Sequence, residues 1–105
     1  MSQAQQIEVL VGKKPIVNYM LAIIEAFNNN PSATVVLKAR GRAVCKAVNA
    51  VSAVKNRYFN DIYVKSFSAS YEDVKTEKGI ARLPSVEIVI ARRPGSQAQG
   101  SPTPQ

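Results

Sequence analysis

Histidine is absent from this chain, and cysteine occurs once, as Cys45. An imidazole acid–base pair and a histidine zinc site are thereby excluded, and one thiol makes neither an intramolecular disulfide nor a thiolate metal cluster. Cys45 falls at a helical position beside Val44 and reads as a small side chain in or near the core. Carboxylates are also few: seven Asp and Glu, standing singly or in a stretch that reads as a hairpin, so nothing suggests a two-metal nuclease. No apolar run approaches the roughly 18 residues that span a bilayer. The polar start, Met1 to Gln6, has no signal-peptide pattern. A cytoplasmic protein without a membrane partner is expected. Gly-x-Gly-x-x-Gly is missing, and Gly12-Lys13-Lys14 lacks the spacing and the Ser/Thr of a nucleotide-binding P-loop. No enzyme, metal or cofactor is expected.

What the chain has in excess is positive charge. Lys and Arg total 14 against the seven acids, a net +7 on 105 residues, while 46% of the chain is hydrophobic and can build one core. The excess is uneven: residues 1–71 carry nine basic and three acidic side chains, residues 72–93 five and four. Such a charge on one small domain steers polyanions towards it. The plain alternative is charge that serves solubility.

Residues 7–11 read as a short strand and Lys13-Lys14 as the turn after it, with Pro15 suited to a first helical turn. Ile16, Met20, Ile23, Ile24 and Phe27 keep helical spacing, and Val17 and Leu21 widen the apolar face, so this helix is expected to be largely buried. Asn28-Asn29-Asn30-Pro31 stops it. Residues 33–39 read as a second strand, whose run Val35-Val36-Leu37 suits a central strand or one covered on both faces. A second helix follows, with Val44, Ala47, Val48, Val51, Val54 and Tyr58 as its apolar stripe. Residues 61–71 and 82–92 read as strands, the second with Val86, Ile88 and Ile90 on one face. The charged stretch Glu72 to Ala81 reads as the projecting tip of a long hairpin. Pro84 asks for an edge or a bulge. The order βαβαββ predicts an α/β protein of the α+β two-layer sandwich type, a four-stranded mixed sheet with two helices on one face. The domain is placed at 7–93, with 1–6 as a flexible N-terminus and 94–105, which holds three prolines and two glycines, as a disordered tail.

Two basic segments stand where a strand hands over to a helix: Gly12-Lys13-Lys14-Pro15 and Lys38-Ala39-Arg40-Gly41-Arg42. In a parallel pair of strands such junctions share one edge of the sheet. A helix N-terminus carries unpaired N–H groups and partial positive charge, which disfavours cations unless an anion is the intended counter-charge. Arg40 and Arg42 suit bidentate phosphate contact, and Gly41 lets backbone approach a ligand. The alternative at both segments is a solvated turn. Lys46, one turn beyond Arg42, extends the patch or merely solubilises its helix. Asn18 and Tyr19 lie one turn into the first helix. The tyrosine either meets a sugar or stacks on an exposed base, or is a core ring with its hydroxyl at the surface. Lys75, Lys78 and Arg82 make the hairpin a basic arm able to track a groove, although Glu72, Asp73 and Glu77 share it.

Val11-Gly-Lys-Lys-Pro-Ile-Val-Asn-Tyr19, Leu37-Lys-Ala-Arg-Gly-Arg-Ala43 with Lys46-Ala47-Val48, Asn56-Arg57-Tyr58 and Val86-Glu-Ile-Val-Ile-Ala91 are similar, in order and over about residues 7–92, to the Alba family of Sac10b-type archaeal chromatin proteins. The resemblance implies the fold of the C-terminal domain of bacterial translation initiation factor 3. It also implies a dimer, with itself or with a paralogue, that binds double-stranded DNA and often RNA with little sequence preference. Lys13, Lys14, Arg40 and Arg42 would form the body of the site, and the two hairpins would reach along the minor groove. Lys13 matches the family lysine whose acetylation weakens DNA binding, as loss of a charge should. Arg57, Tyr58 and Phe59 match a contact between neighbouring dimers, where family members commonly have Phe in place of Tyr58. The expected function is an architectural chromatin protein of the nucleoid that coats, bridges or compacts DNA. The alternative is an RNA-binding protein, either a chaperone or a subunit of a ribonuclease P-like particle.

Overall fold

Ile7, Val9 and Val11 recur with period two, and they make the inner face of β1 (Gln6–Val11), an outer strand of the sheet in the computed structural model, which describes residues 5–93. α1 (Ile16–Asn29) follows and buries Tyr19, Ile23, Ala26 and Phe27. It stops at the asparagine run: the Asn30 N–H still reaches the Ala26 carbonyl (3.0 Å), but the Asn30 side chain accepts the Ser32 N–H (3.1 Å) and turns the chain. β2 (Thr34–Arg40) then runs parallel to β1. After α2 (Ala43–Arg57), the antiparallel pair β3 (Ile62–Thr76) and β4 (Gly79–Arg92) completes a four-stranded mixed sheet in the order β1-β2-β4-β3. This is the expected βαβαββ architecture.

The core lies between the helices and one face of the sheet. Val9, Val11, Val35, Leu37, Val86, Ile88 and Ile90 meet Ile23 and Phe27 of α1 and Ala47, Ala50 and Val54 of α2. Burying a side chain such as Phe27, Leu37 or Ile90 stabilises by about 1.5–3 kcal/mol. The unbroken run Val35-Val36-Leu37 has its reason in β2 being central: all three are buried although Val36 points away from the helices. At the far end of α2, Phe59 turns inward. Its ring meets Phe27 edge-on (5.8 Å), and the Arg92 guanidinium lies 4.4 Å from its centroid. Arg92 is held in turn by both carboxylate oxygens of Asp61, at 3.0 and 3.1 Å.

Several expectations need correction. α1 is less buried than its composition suggests: Val17 and Leu21 are exposed, because the helix meets the sheet through only one stripe. Val48 of α2 and Tyr58, just beyond its end, are exposed as well. The stretch 72–81 is the outer part of a long hairpin, as expected, but its strands reach beyond 71 and start before 82: the β3–β4 ladder runs out to Thr76 opposite Gly79 and closes through a two-residue turn at Glu77-Lys78. There the Thr76 hydroxyl accepts the Lys78 N–H (3.2 Å) and donates to the Gly79 carbonyl (2.9 Å), and Gly79 takes φ +125°. Both faces of this outer hairpin meet water, so no apolar alternation marks it. Pro84 sits where β2 has just ended, β2 pairing only as far as Arg40 opposite Ser85. Its carbonyl accepts the Gly41 N–H (2.8 Å) on the β2 side. A strand residue points N and O the same way, so the missing N–H interrupts no ladder bond. The bulge lies elsewhere, between Val64 and Ser66. The tail 94–105 and residues 1–4 lie outside the described residues, while Gln6 already belongs to β1.

Candidate nucleic-acid interface

Val11 of β1 pairs with Ala39 of β2. Gly12 and Arg40 therefore leave the sheet side by side, and the two basic junctions become neighbours. At the first, Pro15 caps α1 in an extended conformation (φ −62°, ψ 154°) and has no N–H to leave unpaired. Lys13 and Lys14 are exposed. The turn beneath them is held from inside. The Tyr19 hydroxyl accepts the N–H groups of Gly12 (2.9 Å) and Lys14 (3.2 Å). Lys46 reaches across from α2, and its Nζ donates to the carbonyls of Gly12 (2.9 Å) and Lys14 (2.7 Å) while lying 5.9 Å from the centre of the Tyr19 ring.

At the second junction Gly41 takes φ +62°, a left-handed conformation that a side chain would strain, and lets the chain turn from β2 into α2. Arg42 occupies the cap position and supplies no capping oxygen. Neither helix has an acidic residue in its first turn. The positive ends of both dipoles are therefore uncompensated by the chain itself, beside four exposed cations, Lys13, Lys14, Arg40 and Arg42.

Both junctions open on one groove of about 940 Å³, which takes in Lys13, Lys38, Arg40 and Arg42 together with Ser68, Ser70 and Ser85. The serines lie on the sheet face away from the helices. Two carboxylates moderate the field. Glu72 of β3 binds Arg40 Nη1 at 2.9 Å, both partners about half exposed. Glu8 binds Lys38 at 2.9 Å, and this hydrogen bond and its charge raise the lysine's pKa. Among the described residues, Lys13, Lys14 and Arg42 stand in no ion pair. Nor do three His, Cys, Asp or Glu gather there to hold a metal ion.

The structure thus brings Lys13, Arg40, Gly41 and Arg42 together, with Lys14 and the exposed Asn18 on the adjoining turn. Of the two readings of Tyr19, the core ring holds: the side chain is 8% exposed and leaves no face for a base to stack on. Lys46 neither extends the patch as a free cation nor simply solubilises its helix, because its ammonium clamps the turn. Lys75, Lys78 and Arg82 lie out on the hairpin, apart from the groove, where Arg82 pairs with Asp73 (3.2 Å) and lies 5.8 Å from the Tyr71 ring centre. Arg57 and Tyr58 are exposed at the C-terminal end of α2, whereas Phe59 is packed inward. Cys45 is exposed, not in the core.

Sequence reasoning named Lys38 within the second basic segment but gave it no role of its own, and it passed over the groove serines. Ser66, Ser68 and Ser70 recur with period two along β3, a signal of one polar strand face, but only the fold shows that this face meets the junctions.

A family model described as Alba matches residues 7–69. The chain is 38% identical over 89 residues to the DNA/RNA-binding protein Alba of Picrophilus torridus, covering 85% of this chain and 99% of that one. It is 39% identical over 85 residues to the DNA/RNA-binding protein Alba 1 of Archaeoglobus fulgidus, covering 81% of this chain and 94% of the relative. Among solved structures, Alba from Thermoplasma volcanium aligns with a TM-score of 0.78 at 33% identity, over 81% of this chain and 99% of that one.

Proposed function

Because the chain belongs to the Alba family, a family of non-enzymatic DNA/RNA-binding proteins, we propose that it binds double-stranded nucleic acid, DNA in the first place, through the phosphates and without reading base sequence. One observation carries this: Lys13, Arg40 and Arg42 line one groove with the start of α2, which has no acidic first-turn residue. Cations on phosphate fix position and carry no sequence information. Duplex RNA is the alternative partner, and the names of the relatives cover both acids. Recognition of splayed single strands is less well supported, since the Tyr19 ring is buried.

The protein acts as a dimer in this proposal. Val64, Phe67 and Tyr71 of β3 stand opposite Ile90, Ile88 and Pro84 and so point to the helix side of the sheet. The helices pack over the other three strands, and these side chains remain 48%, 55% and 67% exposed. An apolar row on an edge strand is a surface that a second copy of the chain would cover, and Val48 of α2 is exposed as well. A twofold dimer carries two basic grooves and can bridge or coat duplexes on the chromosome. Contacts between dimers are assigned to the exposed Arg57 and Tyr58, with Phe59 as their support. Lys13 is the proposed site of acetylation.

The test is salt-dependent binding of a random-sequence duplex DNA and its RNA counterpart, with the mass of the free protein measured by light scattering. If six to ten cations meet phosphate, affinity should fall roughly 10³–10⁵-fold between ~50 and ~200 mM salt, alike for scrambled sequences. Strong preference for one sequence would sink the reading, and a monomeric wild type would remove its dimer.

A further inference from the structure

The turn that carries Lys13 and Lys14 is secured by two side chains from different helices. Tyr19 takes up the N–H groups of Gly12 and Lys14 through one hydroxyl oxygen, and Lys46 takes up the carbonyls of the same two residues through one ammonium. Donors and acceptors of both residues flanking Lys13 are thus satisfied from below. The phenol is buried and anchored in the core, and the ammonium sits over its ring. Two Lys46 bonds of 2.7 and 2.9 Å use most of what a lysine can donate, and bonds from an ionised donor are the stronger kind.

We propose that Tyr19 and Lys46 are positioning residues of the interface: they hold the Gly12–Lys14 backbone in one conformation and present Lys13 and Lys14 to phosphate already ordered, without touching nucleic acid themselves. A binding turn that is ordered beforehand spares the complex the entropy of ordering it. The Gly12 and Lys14 N–H groups are committed inward, so the lysine ammonium groups meet the phosphate and those two amides do not. This deepens the function proposed above and rests on it.

The experiment is fluorescence anisotropy of a random-sequence DNA duplex with the full chain, over a series of salt concentrations. Tyr19→Phe and Lys46→Met are made alone and in a Lys13→Ala/Lys14→Ala background, with thermal melts recorded for each. Tyr19→Phe keeps the ring and removes only the acceptor, so it carries the test even where Lys46→Met lowers the melting temperature. Each single change should weaken binding about three- to tenfold. Each should lose most of that effect in the double-alanine background, where nothing remains for the turn to present. A change acting only on stability would weaken binding equally in both backgrounds. Wild-type affinity in Tyr19→Phe overturns the proposal. So does a Lys46→Met loss that persists undiminished, with a salt slope shallower by ~0.9, because that is the mark of a direct phosphate contact. Failure of the wild type to bind the duplex at low salt would instead overturn the function proposed above, and it would show before any variant is compared.

Discussion

The helix junctions and the hairpin arm carry cations in similar number but offer them differently. Lys13, Lys14, Arg40 and Arg42 stand on a turn and a helix start braced by the core. Among the described residues, only Arg40 of these four has a carboxylate partner. Lys75, Lys78 and Arg82 share their arm with Glu72, Asp73 and Glu77, and Arg82 is paired with Asp73. The arm is a two-stranded ribbon beyond the end of β2, exposed along nearly all its length. A count of cations alone would rank the two regions alike. Uncompensated charge and a fixed backbone separate them, because an ion pair within the chain reduces the field that an incoming phosphate meets.

The largest effect that divides the regions concerns stability. Phe27 is fully buried against Phe59, whereas Ile80 lies exposed near the tip of the arm. Phe27→Ala should cost about 3–5 kcal/mol in denaturant unfolding, and Ile80→Ala should stay within ~0.5 kcal/mol. An Ile80→Ala variant as damaged as Phe27→Ala would mean that the arm packs on something in solution, and the view of it as an energetically separate ribbon would fail.

Binding should divide them next. Replacing Lys13, Lys14, Arg40 and Arg42 together by alanine should weaken duplex binding by about 10²–10³-fold near physiological salt and make the salt slope shallower by ~0.9 for each phosphate no longer neutralised. Lys75→Ala/Lys78→Ala/Arg82→Ala should cost no more than about tenfold, since one of these charges is already met by Asp73. Equal losses would move the site onto the arm. A smaller step probes one charge alone: Lys13→Gln, which imitates acetylation, should weaken binding a few-fold and shift the slope by ~0.9 per site.

The same contrast explains what the sequence let one read. The element order was legible because each body element has one buried side, and burial writes its period into the residues: two for Ile7, Val9 and Val11, and helical spacing for Ile23 and Phe27. The outer arm has no buried side, so the hairpin was legible but the full length of its strands was not. The two basic segments stood out because they are local. Tyr19 and Lys46 stood out as well, but their roles were not legible, because these depend on partners that the fold alone supplies: backbone groups five and seven residues back for the hydroxyl, and 32 and 34 residues back for the ammonium. A tyrosine among lysines suggests stacking, and only its burial shows that its hydroxyl serves the turn.

Glu72 joins the two regions and gives the finest test of the comparison. It stands on the arm but binds Arg40 of the junction at 2.9 Å. To a guanidinium, carboxylate and phosphate are similar partners, so in the free protein Glu72 occupies what a phosphate would take. Both side chains are about half exposed, and an exposed pair is worth about 0.2–1 kcal/mol. Glu72→Gln should therefore tighten duplex binding only about two- to threefold and leave the unfolding transition almost unmoved. Asp73→Asn is the matched control, because it frees Arg82 on the arm by the same chemistry. If the junction is where phosphate sits, freeing Arg40 must help more than freeing Arg82. If Asp73→Asn gives the larger gain, Arg82 is the cation that phosphate meets first, and the ranking of junction over arm is reversed.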